Sequence, residues 1–124
     1  VVGTAVSKIC KYEVARTGLT ERESDTLGLC YVTATIKSRT RAGYYPGAGW
    51  ITVKLAAEKV SGRLLGGQII GLEGAAKRID VLATALTAHM TVQQIVDLDL
   101  SYAPPFSPVW DPLQTAARQL LAQY

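Results

Sequence analysis

The sequence predicts an α+β domain, a mostly antiparallel sheet with helices packed on it, organised as one unit over residues 1–124. Three observations carry that expectation. Apolar and polar side chains alternate with the two-residue period of a half-buried strand mainly before residue 72. Apolar spacing at i, i+3, i+4 and i+7, the period of a helix with one buried face, dominates after residue 74. The last two strand candidates are separated only by the turn-rich "AEKVSGR", which favours an antiparallel hairpin. Strands and helices segregated in this way belong to the α+β class.

The elements follow in order. Residues 5–15 read as one strand, with Cys10, Tyr12 and Val14 on one face and Lys11 and Glu13 on the other. In "TGLTERES", Thr20 and Glu23 form a capping box: the Thr hydroxyl takes the amide of Glu23 and the Glu side chain reaches back. A short helix therefore starts at Thr20 and stops near Gly28, a residue suited to the left-handed terminator position. Residues 30–37 form a second strand, rich in β-branched residues, with Val32, Ala34 and Ile36 on one side. Residues 38–49, "SRTRAGYYPGAG", read as a loop. Strand character resumes at Trp50, with Ile51, Val53 and Leu55 sharing a face, and returns in "LLGGQIIG". Gly66 and Gly67 inside that strand predict a bulge or a close backbone approach.

"GAAKRIDVLATALTAHM" is helical, with Ile79, Leu82, Ala83, Leu86 and Met90 on one stripe. A second flank, Val81, Ala85 and Ala88, is apolar and mostly small, and is expected to receive another surface. Thr91 caps a shorter helix, "TVQQIVDLD". Asp111 with Pro112 starts the last helix, whose stripe is Leu113, Ala117, Leu120 and Leu121.

Composition narrows the function. The chain of 124 residues suits one core. Charged residues are 19% of it, below the roughly 25% usual for a soluble domain. A small domain with so little charge is expected to have part of its surface covered by another protein. The net charge of +3 is spread along the chain apart from Lys37, Arg39 and Arg41, so nucleic acid is not expected as a partner. No apolar run is long enough to span a membrane, and no signal peptide is visible. Cys10 and Cys30 lie in apolar runs without metal-ligand spacing and are expected in the core; no metal is expected. A cytoplasmic location follows as the default. The chain begins at Val1 rather than Met, which fits a piece of something longer.

No enzyme constellation is complete. The lone His89 falls at a helix end, where a cap or terminal-charge role is the ordinary one. The glycines of "GGQIIGLEG" lack the strand-to-helix context of a phosphate-binding turn. Two segments call for more. "AGYYPGAG" sets Tyr44 beside Tyr45. "LSYAPPFSPVWDP" holds four of the chain's five prolines, its one Phe and one of its two Trp. Prolines remove conformational freedom before contact is made, and Tyr and Trp give large contact area at low entropic cost. Interface or ligand contact explains these segments, and so does packing on their own core; the residues alone leave both open.

"TGLTE", "YYPGA", "GRLLGGQIIG", "GAAKRIDVLATAL" and "MTVQQIVDLDLSYAPPFSPVWDPL" settle the choice by resemblance. From about Gly3 to Ala116 the chain resembles the C-terminal dimerisation domain of the pyridine nucleotide-disulfide oxidoreductases, in the coenzyme A-disulfide reductase and NADH oxidase branch. The resemblance implies that family's interface-domain fold and a homodimer. It implies a parent flavoenzyme whose FAD and NAD(P)H domains and redox cysteine are absent here, so that residues 1–124 alone bind no cofactor and are inactive. Neither Cys10 nor Cys30 matches that cysteine. Where glutathione-reductase-like relatives carry a His-Pro segment, this chain has Ser101-Tyr102-Ala103-Pro104. The branch implies tyrosines directed across the dimer, here Tyr102 and Tyr44, with Tyr45 as the alternative to Tyr44. Tyr45, Lys37, Arg39 and Arg41 are then placed for the substrate, the three basic residues for the phosphates of coenzyme A, and Pro104, Pro105, Phe106 and Trp110 for the subunit interface. Coenzyme A disulfide, persulfide or oxygen is the implied acceptor. The competing expectation is a stand-alone protein-binding module with a basic anion-binding loop.

Overall fold

The computed structural model describes residues 3–9, 12–39, 50–71, 75–98 and 111–123, with the side chain of Arg39 excepted. It contains β1 (Ala5–Ile9), β2 (Tyr12–Gly18), α1 (Glu21–Thr26), β3 (Tyr31–Arg39), β4 (Trp50–Glu58), β5 (Leu64–Gly71), α2 (Ala75–Thr87), α3 (Val92–Val96) and α4 (Pro112–Leu121). The strands form one antiparallel sheet in the order β1-β2-β5-β4-β3. The α+β expectation is thus met. No helix among the described residues is long and apolar enough to cross a membrane.

Residues 5–15 are not one strand. The chain folds back between Ile9 and Tyr12, which pair across the β1–β2 hairpin. The face assignment also changes. Ala15 and Thr17 of β2 are buried under the helices, whereas Tyr12 is 44% exposed on the opposite face. Glu13 shares the helix side because it has a partner there: its Oε1 accepts from the amides of Ala75 (3.1 Å) and Ala76 (3.4 Å). A carboxylate at a helix N-terminus satisfies amides that lack intrahelical acceptors and opposes the positive end of the dipole. Periodicity sees only that Glu is polar, so it assigned Glu13 to water.

The capping box at α1 forms as expected. Glu23 N donates to Thr20 Oγ1, and Thr20 N donates to Glu23 Oε1. The helix ends at Gly28 (φ +72°), with the amides of Gly28 and Leu29 donating to the carbonyls of Asp25 and Ser24. β3 runs two residues past its expected end, so Ser38 and Arg39 belong to the strand. Cys30 precedes it and is exposed, against the expectation of a core position; Cys10 lies outside the described residues.

Helices cover one face of the sheet, α2 over β2 and β5, α4 over β3 and β4. Rows of paired residues supply the other half of the core: Ala15, Ile69, Val53 and Ile36 in one, Thr17, Gly67, Leu55 and Ala34 in the next. Both expectations for the β5 glycines hold. The register shifts between Ala56 and Ala57 opposite them. A Cβ on Gly67 would lie 2.6 Å from Leu82 Cδ1, and one on Gly66 only 2.2 Å from Leu19 O.

α2 stops at Thr87, short of the Met90 the stripe reached. His89 takes the left-handed position (φ 56°), where its amide donates to Leu86 O and that of Met90 to Ala85 O. These are the two bonds of a Schellman termination, so His89 does act at a helix cap. Its ring also meets Arg63 Nη2. Thr91 caps α3 in a second box with Gln94, and Asp111 caps α4 with Pro112 at its first turn.

Candidate functional site

The register shows where the two unusual segments are rooted. Glu13, Gly71, Ile51 and Ser38 form one transverse row. One residue further out, Arg39 pairs with Trp50, so the chain leaves and re-enters the sheet around segment 40–49 at this end. Glu13 fixes the start of α2 at the same end. Early in α2, Arg78 Nε donates to both carboxylate oxygens of Asp111, at 3.3 and 3.2 Å. The chain therefore re-enters α4 here too. Gln114, in the first turn of α4, donates through Nε2 to Leu98 O (2.6 Å) and Val96 O (3.3 Å), bringing in the end of α3. Both proline-aromatic segments thus have their roots at one end of the sheet.

The open face at that end is apolar. Ile9 (60% exposed), Tyr12 (44%), Trp50 (49%) and Ile70 (45%) share the side that the helices α2 and α4 leave uncovered. A cavity of about 550 Å³ continues the patch, lined by Ala5, Val14, Arg16, Thr52, Lys54 and Ile70 among others. Lys54 pairs there with Glu21, tying α1 over the far end of this face. Tyr31 is likewise tied to α1: its hydroxyl donates to Asp25 Oδ1 at 2.9 Å. That hydrogen bond, helped by partial burial, raises the phenol's pKa.

Of the site residues expected from sequence, Lys37 is exposed on β3, its Nζ 5.1 Å from the centroid of the Trp50 ring. That is within cation–π range. Arg39 ends β3 beside Trp50, its side chain outside the described residues. Arg41, Tyr44, Tyr45, Tyr102, Pro104, Pro105, Phe106 and Trp110 also lie outside the described residues. The flank of α2 is only partly available. Ala85 is 1% exposed within the chain's own core, so it has no surface for a partner. Val81 packs partly on that core, and Ala88 is exposed beyond the helix end.

Sequence reasoning missed the open-face patch. Its signal was the adjacent Ile69 and Ile70, which put an apolar side chain on each face of one strand. It also missed Arg78 and Gln114, which stand out only as polar residues on inward positions of amphipathic helices.

Gly66 and Gly67, the glycines nearest to a dinucleotide motif, are closed off by Leu19 and Leu82. They leave no room there for a pyrophosphate.

A family profile described as pyridine nucleotide-disulphide oxidoreductase, dimerisation domain, matches residues 4–113. A CoA-dependent NAD(P)H sulfur oxidoreductase of Pyrococcus furiosus is 44% identical over 97% of this chain and 27% of its own. A coenzyme A disulfide reductase of Staphylococcus epidermidis is 33% identical over 86% of this chain and 24% of its own. Among solved structures, a NAD-dependent persulfide reductase from A. fulgidus superposes with a TM-score of 0.96 at 44% identity, over 99% of this chain and 23% of that one. The chain thus spans about a quarter of the length of these relatives.

Proposed function

The chain belongs to the dimerisation domains of the pyridine nucleotide-disulphide oxidoreductases, and from that premise we propose that it joins two subunits of a flavin-dependent NAD(P)H oxidoreductase and lets each reach the other's active site. The parent carries FAD, NAD(P)H and a redox cysteine in parts beyond residues 1–124, and works in the cytoplasm. Its acceptor is a coenzyme A disulfide or persulfide. Tyr102 and Tyr44, or Tyr45 in place of Tyr44, serve the partner's site, with Lys37, Arg39 and Arg41 toward the coenzyme's phosphates.

One observation carries this reading: both aromatic segments are rooted at a single end of the sheet, beside an exposed apolar patch. A surface of that kind suits burial against protein. The chemistry is consistent. Cleaving a disulfide releases a thiolate, and a phenol of pKa about 10 can give that sulfur a hydrogen bond or a proton while staying neutral beforehand. The rival reading, a free-standing anion-binding module, has no support in the structure or the relatives.

The test is Tyr102→Phe in the full-length enzyme. The ring stays, so packing survives and only the phenolic donor goes. Acid–base help is typically worth roughly 10² to 10⁴-fold. We expect a loss near the lower end in the disulfide half-reaction, more with Tyr44→Phe added, and an unchanged half-reaction with nicotinamide. Stopped-flow separates the two. An unchanged disulfide step in the double variant removes the tyrosines from the chemistry.

A further inference from the structure

Burying a glutamine or an arginine is unfavourable unless its donors find acceptors, and their acceptors here lie at the two ends of one segment. Gln114 is 4% exposed on the inward face of α4. Its amide donates to Leu98 O at 2.6 Å, just where the chain leaves α3. Asp111 is 8% exposed. It accepts from Arg78 Nε, and from Leu113 N at 3.0 Å, just where the chain enters α4. Leu98 and Asp111 are therefore held within one glutamine side chain and one helical turn of each other. Closing a chain segment on itself carries an entropic cost, and these buried bonds meet it. Buried ion pairs are often no more stabilising than apolar residues of the same volume. The presence of the Arg78–Asp111 pair at one root of "DLSYAPPFSPVW", and of Gln114 at the other, is explained by what they hold in place.

We propose that Arg78, Asp111 and Gln114 are positioning residues, a buried stem that holds both ends of segment 98–111 together and so sets where Tyr102 stands. The positioning role rests on the reading of Tyr102 given above; the stem itself rests on the bonds just described. A catalytic group displaced by about 1 Å can cost 10²-fold, so loss of the stem is felt at the disulfide step although none of the three residues touches substrate.

The experiment uses the full-length holoenzyme with Gln114→Met, which keeps length and loses the donors, and Arg78→Lys, which keeps charge and loses Nε, as the second variant should the first not fold. Two readouts are taken. Hydrogen exchange of peptides covering 99–110 is expected to rise at least about tenfold while the sheet peptides stay as they were. The disulfide half-reaction is expected to fall roughly 10- to 100-fold, with nicotinamide oxidation unchanged, and the loss is expected to vanish when Tyr102 is already Phe, as non-additivity requires for groups acting as a unit. Unchanged exchange overturns the stem. Raised exchange without a slower disulfide step, in an enzyme where Tyr102→Phe does slow it, overturns the positioning role. If Tyr102→Phe itself has no effect, the reading of Tyr102 fails and the positioning role fails with it, while the stem is judged by exchange alone.

Discussion

Alanine at three glycines separates three physical costs, and the structure ranks them. A Cβ on Gly28 would meet nothing within 4 Å, but the residue's φ is +72°. Gly28→Ala therefore meets only left-handed backbone strain, about 1–2 kcal/mol, partly offset by a stiffer unfolded chain; we expect a net cost of about 1 kcal/mol. At Gly67 the new Cβ would sit 2.6 Å from Leu82 Cδ1 and 3.0 Å from Leu55 Cδ2. Both are ends of fully buried side chains, which can rotate at the cost of an overpacked core, about 1–3 kcal/mol. At Gly66 the obstacle is backbone: Leu19 O at 2.2 Å and Leu19 N at 2.7 Å. Reaching ordinary contact, which begins at 3.4 Å, moves the β2–α1 link and breaks the 2.9 Å bond from Leu19 N to Leu65 O. It also disturbs the Thr20 cap next door. We expect about 4 kcal/mol or more, a large part of the roughly 5–15 kcal/mol that holds such a domain together. Urea unfolding followed by circular dichroism measures all three, with unchanged m-values showing that the unfolded states compare. A Gly66→Ala cost within about 1 kcal/mol of the Gly28→Ala cost would refute the close approach of Leu19.

Two further outcomes follow from the exposed elements. The Glu23 carboxyl is held below its ordinary pKa of 4.5, first by the Thr20 amide and then by the Thr20 hydroxyl, so its contribution is present above that value and lost as pH falls through the lowered one. Glu23→Gln keeps the reciprocal cap without the ionisation, so its Tm difference from wild type should shrink in acid; a difference that widens there contradicts the cap. Ile70→Lys on the open face should change folding stability by no more than about 1 kcal/mol yet weaken association of the subunits at least about tenfold by sedimentation; unchanged association at matched concentration excludes this face from the interface.

The caps, strands and helix faces were legible because each is decided by a few neighbouring residues. Thr20 with Glu23, Thr91 with Gln94 and Asp111 with Pro112 meet their partners within one turn. Gly66 and Gly67 announced a close approach, since glycine weakens a strand interior and is placed there where a bulge or another backbone requires it. What stayed hidden depends on long-range partners. Glu13 looked solvated because its acceptor role is for amides 62 and 63 residues away. Cys30 looked buried because apolar neighbours in sequence say nothing of a turn that lifts it out of the core. Ala85 looked like interface because a small residue fits equally well beneath a sheet of its own chain. The turn between Ile9 and Tyr12 moves the open face from odd to even positions, but residues 5–9 alternate too loosely for that change of phase to show in the sequence.

The same long-range partners explain how the molecule divides its work. At one end of the sheet, Gly18, Gly28, Gly62 and His89 turn the chain tightly in left-handed conformations. At the other, besides the β1–β2 hairpin, the described chain departs and returns at Arg39 and Trp50 and at Leu98 and Asp111, and there side chains wholly or partly buried supply the bonds: Glu13 on α2, Arg78 on Asp111, Gln114 on Leu98. Short turns need only local residues to define them. Long segments, such as those proposed to reach another subunit, need their roots fixed by the body of the fold, because loops gain precision from the rigid elements beneath them. Arg78 and Gln114, polar residues on inward helix faces, are therefore where the proposed delivery of Tyr102 to a partner's site needs them.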